Sequence, residues 1–442
     1  MTPADEALGF ATRQIHAGAE LDDGHRPRAT PIYLTAGFVF DDFEQASERF
    51  VQSDDGYSYT RVGNPTNTAV ERRIADLEGG SGALLVGSGQ AAVATAVLAL
   101  AGAGDHIVSA ASIYEGSRQL FRDNFARLGI GTTFVADAND PSAWEEAIRP
   151  ETRVLFAESI PNPKNDILDL RAVADVARRH GIPLVIDNTL ATPYLLRPIE
   201  HGADIVVHSA SKFLAGHGTV LGGVIVDAGR FDWAAAPGRY PHLAIALGSD
   251  GRTFAARSGR AAFLDYARSV IALRQGPSPS PFNAFFILQG IETLSLRVQR
   301  HCDSARQIAH WLEAHDAVES VDYSGLASNP YHPLAQRYLP RGQGSVFSFT
   351  LRGGRDAAKT FTDSLQLFTR MTHLGDVRSL VLHPASTTHV QRTEAEREAA
   401  GISQGLLRVS IGLEDADDLI RDLDRALAAV EAADLLERAG IL

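Results

Sequence analysis

Between residues 66 and 227 short apolar runs alternate with helical windows. The runs fall at 83–86, 106–109, 132–135, 154–157, 184–186, 205–207 and 223–226. They do not alternate apolar with polar positions, which predicts strands buried on both faces. The windows between most of them carry helix signals. One opens at Asp169, a good capping residue, and closes on Arg178, Arg179 and His180 before Gly181. Another, at 68–78, is closed by Gly79 and Gly80. This alternation predicts an α/β architecture, a mostly parallel central sheet with helices on both sides. Ligands in such sheets bind at the carboxyl ends of the strands.

The flanking regions differ. Residues 1–65 show little periodicity, with turn signals at 22–24 and 26–27 and a polar-aromatic segment at 54–61. An irregular arm of that length packs on something, often a second subunit. The stretch 228–275 is rich in Gly, Ala and Arg and reads as an insertion. Prolines 277, 279 and 281 make a stiff break before a helix at 285–301. Runs at 345–351, 379–382 and 406–411 read as strands of a smaller α+β C-terminal domain. Leu419, Leu423, Leu427 and Val430 form one apolar stripe on a last helix. The expected division is an arm at 1–65, a large domain at 66–275 and a C-terminal domain at 276–442.

Composition narrows the function. The 442 residues are 45% hydrophobic and 21% charged, with a net charge of −13. That balance argues against a general binder of nucleic acid or anionic membrane. Cys302 is the only cysteine, so no internal disulfide or Cys-based metal cluster is expected. The nearly apolar run 91–101 is too short to span a bilayer. The first residues lack the blocks of a signal peptide, so a soluble cytoplasmic chain is expected. Among 41 basic residues the lysines are Lys164, Lys212 and Lys359. Lys212 follows an apolar run and sits beside Ser209 and Ser211. Arginine supplies charge but does not lose its proton near neutrality to form an imine, whereas lysine does once its pKa falls.

Five stretches carry candidate chemistry, all near predicted strand ends. Gly87-Ser88-Gly89-Gln90 joins a strand to a helix, where small residues and the helix N-terminus favour an anion. Asp187 ends an apolar strand, where a carboxylate needs a partner such as a pyridinium N–H. Ser209, Ser211 and Lys212 place two hydroxyls around an amine. Asn162 is held between Pro161 and Pro163 and can donate to a phenolate oxygen. Tyr114 is placed to stack on a planar cofactor. Taken singly, each has a plainer reading: a tight turn at 87–90 and at Asn162, a structural or metal-binding Asp187, a surface Lys212, a packed Tyr114 ring.

Together and in this order they resemble the pyridoxal-phosphate enzymes of cysteine and methionine metabolism, the trans-sulfuration family of fold type I (aspartate-aminotransferase-like). The matching stretches are 59–61 with 63–66, 87–92, 158–163, 187–189, 208–212, 383–389 and 407–414. A finer resemblance, to the O-acetylhomoserine sulfhydrylase branch, lies in 12–18, 191–204, 222–227 with 231–233, and 280–285. The resemblance implies that Lys212 holds pyridoxal 5'-phosphate as an imine and moves protons, with Tyr114 stacking on the ring and assisting as acid. It implies Asp187 on the ring nitrogen and Asn162 on the ring oxygen. The phosphate falls to the Gly89 and Gln90 amides with Ser209 and Ser211, and to Tyr59 and Arg61 of a neighbouring subunit. Arg408 takes the substrate α-carboxylate as a fork. A homo-oligomer, a dimer of dimers, is implied, as is γ-replacement on O-acetyl-L-homoserine with sulfide or a thiol. Cystathionine γ-synthase, O-succinylhomoserine sulfhydrylase and methionine γ-lyase activities stay open as alternatives.

Three features depart from the family pattern. Glu115-Gly116 follows Tyr114 where Gly-Gly or Gly-Cys is common. His373 stands where many relatives have a small polar residue. The 234–264 stretch looks unlike the aromatic insertion of the sulfhydrylases. A carboxylate at 115 is expected to bear on which nucleophile is accepted.

Overall fold

The computed structural model describes residues 8–19, 25–50, 56–247 and 251–438. The turn signal at 22–24 and Asp54 and Asp55 of the polar-aromatic segment lie outside the described residues. The central sheet has seven strands: β1 Gly82–Val86, β2 His106–Ala110, β3 Gly131–Val135, β4 Thr152–Glu158, β5 Leu184–Asp187, β6 Ile205–Ser209 and β7 Gly223–Asp227. Their spatial order is β1-β7-β6-β5-β4-β2-β3. β7 runs antiparallel to both neighbours, and β6, β5, β4, β2 and β3 pair in parallel. Every strand except β7 therefore sends its carboxyl end to one edge.

Local signals account for the elements. Leu184, Val185 and Ile186 of β5 and Ile205, Val206 and Val207 of β6 are fully buried, as strands covered on both faces require. Asp169 caps the helix Leu170–His180 by accepting from the Ala172 amide, and Gly181 ends it in the left-handed region. The helix predicted at 68–78 begins earlier, at Pro65, because Asn64 caps the Thr66 amide and proline suits the first helical position.

A second, five-stranded sheet follows, with β8 Val318–Asp322, β9 Val346–Leu351, β10 Thr369–Arg370, β11 Leu380–Leu382 and β12 Leu406–Ser410. Its order is β10-β11-β12-β9-β8. β8 and β10 escape sequence reading because the first is half polar and the second has two residues. Leu419, Leu423 and Leu427 of the helix Ala416–Arg438 are buried against this sheet, as their stripe predicts.

Two expectations need correction. The arm is partly helical, at Phe10–His16 and Phe43–Phe50. The first of these helices is set by distant partners: Gln14 exchanges hydrogen bonds of 3.0 Å with Ser295, and Arg13 pairs with Asp76. The helix predicted at 285–301 is two helices, Pro281–Glu292 and Leu294–Glu313, meeting at Thr293. Leu294 and Val298 of the second join the core of the central sheet, and Ile308 and Leu312 join the core of the second sheet. The stretch 228–275 packs closely on the large domain. Trp233, Tyr240 and Phe263 are buried as an aromatic cluster, and the Tyr240 hydroxyl donates to the Arg153 carbonyl of β4 at 2.7 Å.

Gly290 shows how tightly this packing bears on the functional loop. A Cβ there would sit 2.3 Å from the Leu214 carbonyl oxygen and 2.5 Å from that of Ala215. Gly290→Ala is expected to destabilise the protein by about 1–3 kcal/mol and to displace the loop after Lys212. Denaturant unfolding checks it, and unchanged stability would show that the loop yields freely.

Candidate active site

The shared strand edge assembles the sequence candidates. A cavity of about 550 Å³ is lined by Ser88, Gly89 and Gln90 after β1, Tyr114 after β2, Glu158 of β4, Asp187 of β5 and Ser209 of β6. Ser211, Lys212, Asn162 and Arg408 complete the wall. A larger cavity of about 850 Å³ opens near Ile182 and Asp204, at the amino ends of β5 and β6. Its Arg178 and Arg230 are paired with Asp175 and Asp204. The chemistry therefore lies in the smaller cavity.

The anion cradle follows from small residues. Ser88 caps the helix Gly89–Leu98 by accepting from the Ala91 amide at 3.1 Å. The first-turn amides of Gly89 and Gln90 have no acceptor within the helix. A Cβ on Gly89 would lie 2.6 Å from the Ser209 Cβ, so only glycine lets β6 and this helix approach. The Ser211 hydroxyl is engaged with the backbone of Gly222, accepting from its amide at 3.0 Å and donating to its carbonyl at 3.3 Å.

Two carboxylates lie side by side, Glu158 of β4 in register with Asp187 of β5. Burial raises both pKa values, and the Asp187 charge pushes Glu158 well above the carboxylate range. Asp187 is partly relieved, because its Oδ1 accepts from the Thr189 amide at 2.9 Å and from the Thr189 hydroxyl at 2.5 Å. Asp187 is thus the member that ionises first. Among the described residues no basic side chain pairs with it. Glu158 also holds backbone in place. Its Oε1 accepts from the Tyr114 amide at 2.6 Å, fixing the turn that carries the half-exposed Tyr114 ring.

Lys212 is drawn toward neutrality. Burial and then the Arg408 charge lower its pKa from 10.5 to about 8. Its Nζ lies 3.0 Å from His373 Nδ1, and that ring is pushed down to about 4, chiefly by burial and next by Lys212. Arg408 is 4% exposed. It donates to Asn162 Oδ1 at 3.3 Å and to the Thr372 and His373 carbonyls at 3.1 Å, while its Nε has no partner. These partners are neutral, so a buried guanidinium faces the cavity without an anion.

Two positioning groups were not singled out from sequence. Arg297 donates to the carbonyls of Phe213, Leu214 and Gly290 and so pins the loop after Lys212. Buried Glu78 contacts His208 Nε2 at 2.6 Å and accepts from Asn188 Nδ2 at 2.9 Å, beneath Ser209 and Asp187. No local pattern marks either, because the partners are remote in sequence. Tyr59 and Arg61 do not reach this chain's cavity. Arg61 donates to the Leu273 carbonyl, stacks 5.5 Å from the Tyr59 ring and lines a separate small pocket near Pro277.

An unpaired carboxylate, an unpaired guanidinium, a depressed lysine and a helix-end anion cradle fit a phosphorylated cofactor with a cationic ring nitrogen and an amino-acid substrate. The fold and these groups define a pyridoxal-phosphate enzyme of fold type I. Residues 11–428 match the family described as Cys/Met metabolism PLP-dependent enzyme, and the chain belongs to it. It is 44% identical over 425 residues to the O-acetyl-L-homoserine sulfhydrylase of Corynebacterium glutamicum, covering 96% of this chain and 97% of that one. It is 39% identical to the L-methionine gamma-lyase of Treponema denticola, over 96% of this chain and 97% of the other. Among solved structures it resembles a putative O-acetylhomoserine (thiol)-lyase of Campylobacter jejuni holding N'-pyridoxyl-lysine-5'-monophosphate. That match has a TM-score of 0.91 and 34% identity, and covers 95% of this chain and all (100%) of the other. The cofactor is pyridoxal 5'-phosphate. Among the described residues no helix is long and apolar enough to cross a membrane.

The lysine environment makes a pH prediction. Because the pKa is lowered to about 8, the neutral amine accumulates as pH rises through that value. The rate at which cofactor-free protein captures pyridoxal 5'-phosphate, followed by absorbance, is expected to rise to about pH 8 and then level. Arg408→Met removes a charge that lowers the pKa and moves the midpoint up. A midpoint near the ordinary lysine value in the unmodified protein would show that this environment does not act.

Proposed function

We propose that the protein catalyses γ-replacement on O-acetyl-L-homoserine, with hydrogen sulfide or a thiol displacing acetate to give homocysteine or a thioether. The observation that carries this is the neutral-prone Lys212 beside the unpaired Arg408 in one cavity. The relatives' activities support the choice of substrate. Bound here, pyridoxal 5'-phosphate supplies a carbonyl carbon for the Lys212 amine and an electron sink for the Cα–H bond.

The chain's own residues do the rest. Arg408 holds the substrate α-carboxylate through its fork, kept in place by Asn162 and two carbonyls. Lys212 takes the proton from Cα and, once it has handed that proton on and is neutral again, takes one from Cβ, steps that need a free amine near neutrality. Asp187 retains the ring-nitrogen proton, aided by Thr189, which also accepts from the Ser209 amide at 2.8 Å. The Gly89 and Gln90 amides with Ser209 and Ser211 hold the phosphate. Asn162 also meets the ring oxygen. The Tyr114 hydroxyl donates to the departing acetate oxygen, its turn held by Glu158. At Cγ the C–O bond breaks and a C–S bond forms, so substrate and hydrogen sulfide yield homocysteine and acetic acid.

We also assign Tyr59 and Arg61 to the phosphate of a neighbouring subunit, within a homodimer or dimer of dimers. In support, both lie away from their own chain's cavity. Nearby, Val39, Phe43 and Phe50 are 93%, 82% and 78% exposed, an apolar arm surface suited to a partner. We divide the chain into that arm, a cofactor-binding domain to about residue 275 and a C-terminal domain around the second sheet, and we place the enzyme in the cytoplasm.

Two experiments test these assignments. Protein loaded with cofactor and given O-acetylhomoserine plus sulfide is expected to release homocysteine and acetate, and Lys212→Ala to lose about 10²–10⁴-fold in kcat. Consumption of methionine alone with release of 2-oxobutanoate would instead favour the lyase reading. Hybrids refolded from Lys212→Ala and Arg61→Ala chains are expected to regain activity that neither variant has, because one site per hybrid dimer then carries both residues. No recovery would place Arg61 outside the partner's site.

A further inference from the structure

Glu115 lines the cavity but is not a free carboxylate. Its Oε2 accepts from Arg392 Nε at 2.9 Å and from Nη2 in still closer contact. The side chains are only 8% and 12% exposed. A second link runs beside it, Gln119 Nε2 reaching Glu115 Oε1 at 3.3 Å and Gln391 Oε1 at 3.4 Å.

The two ends belong to different walls. Glu115 opens the helix Glu115–Gln119 directly after Tyr114. Arg392 lies between β11 and β12, in the segment that brings Thr388 and His389 to the cavity. The Arg392 amide donates to the His389 carbonyl at 3.1 Å, and the His389 amide to that of Pro384 at 3.0 Å, so guanidinium and imidazole share one folded turn. His389 is buried, and burial with the Arg392 charge lowers it to about 4, so it presents a neutral ring. Removing either charge leaves the other nearly dry and without its salt-bridge partner, though the fields of Arg118 on Glu115 and of Glu396 on Arg392 remain. That favours separation of the walls over retention of the contact.

We propose that Glu115 and Arg392 form a clasp that holds the Thr388–His389 wall against the Tyr114 turn, so that hydrogen sulfide reaches Cγ ahead of bulkier thiols and replacement outruns elimination. Both are positioning residues, acting through Thr388 and His389. The inference rests on the replacement reaction proposed above. The competing outcome is elimination, in which O-acetylhomoserine and one water give 2-oxobutanoate, ammonia and acetic acid.

The test compares Glu115→Gln, Arg392→Gln and the double variant. Each single variant is expected to lower the homocysteine-to-2-oxobutanoate ratio and the preference for sulfide over methanethiol by about 5-fold or more. The double variant is expected to be no worse than either single one, since the pair acts as a unit. Hydrogen exchange of the 384–393 amides, measured without substrate, is expected to rise in all three. Folded, cofactor-bound variants that keep both ratios would overturn the proposal, even with lowered melting temperatures. If the neutral variants do not fold, Glu115→Asp and Arg392→Lys, which keep the charges and shift the contact, are judged on the same ratios. If the unmodified enzyme leaves O-acetylhomoserine untouched, the reaction assignment fails instead. The clasp then stands on exchange alone, and unchanged exchange in Glu115→Gln overturns it.

Discussion

The site depends on keeping charge-bearing side chains buried around one cavity without protein counter-charges. Asp187 has no basic partner among the described residues, Arg408 meets neutral partners, and Lys212 lies close enough to Arg408 to lose part of its proton affinity. Burial of unpaired charge is unfavourable. Such an arrangement persists only where the surrounding structure fixes each group firmly, and where ligands supply the missing opposite charges.

The fold meets that demand with rigid supports. Parallel strands deliver Asp187, Glu158 and Ser209 to one edge, and Thr189 ties the first to the last. Arg297 anchors the lysine loop through three carbonyls, at the point where the helices 281–292 and 294–313 pass from one core to the other. Gly89, Gly223 and Gly290 keep backbones close: a Cβ on Gly223 would fall 2.0 Å from the Ser88 carbonyl oxygen. Precision at the cavity thus comes from contacts that carry no chemistry themselves.

His373 and Glu115 both tie groups together at the cavity. His373 places a neutral imidazole on the Lys212 amine and lends its carbonyl to Arg408, linking the two functional charges. Glu115 is neutralised by Arg392 and joins two walls, so it presents no free charge to the site. The 228–275 stretch packs an aromatic cluster against β4.

By itself the sequence determined what depends on neighbours along the chain. The apolar runs defined all seven central strands to within two residues, and the caps Asp169, Gly79 and Gly181 marked helix ends. The strand-end motifs named Lys212, Asp187, Gly89, Asn162 and Tyr114, and the family resemblance added Arg408; the fold brings all of them to one cavity. The tertiary structure decided what depends on residues far apart. It set the arm helix held by Ser295, the split at Thr293, the support from Arg297 and Glu78, and the pairing of Glu115 with Arg392 across 277 positions. Those contacts leave no periodic trace, because a polar residue looks the same in sequence whether it meets water or a buried partner. Only the packed structure removes the water and makes the partner necessary.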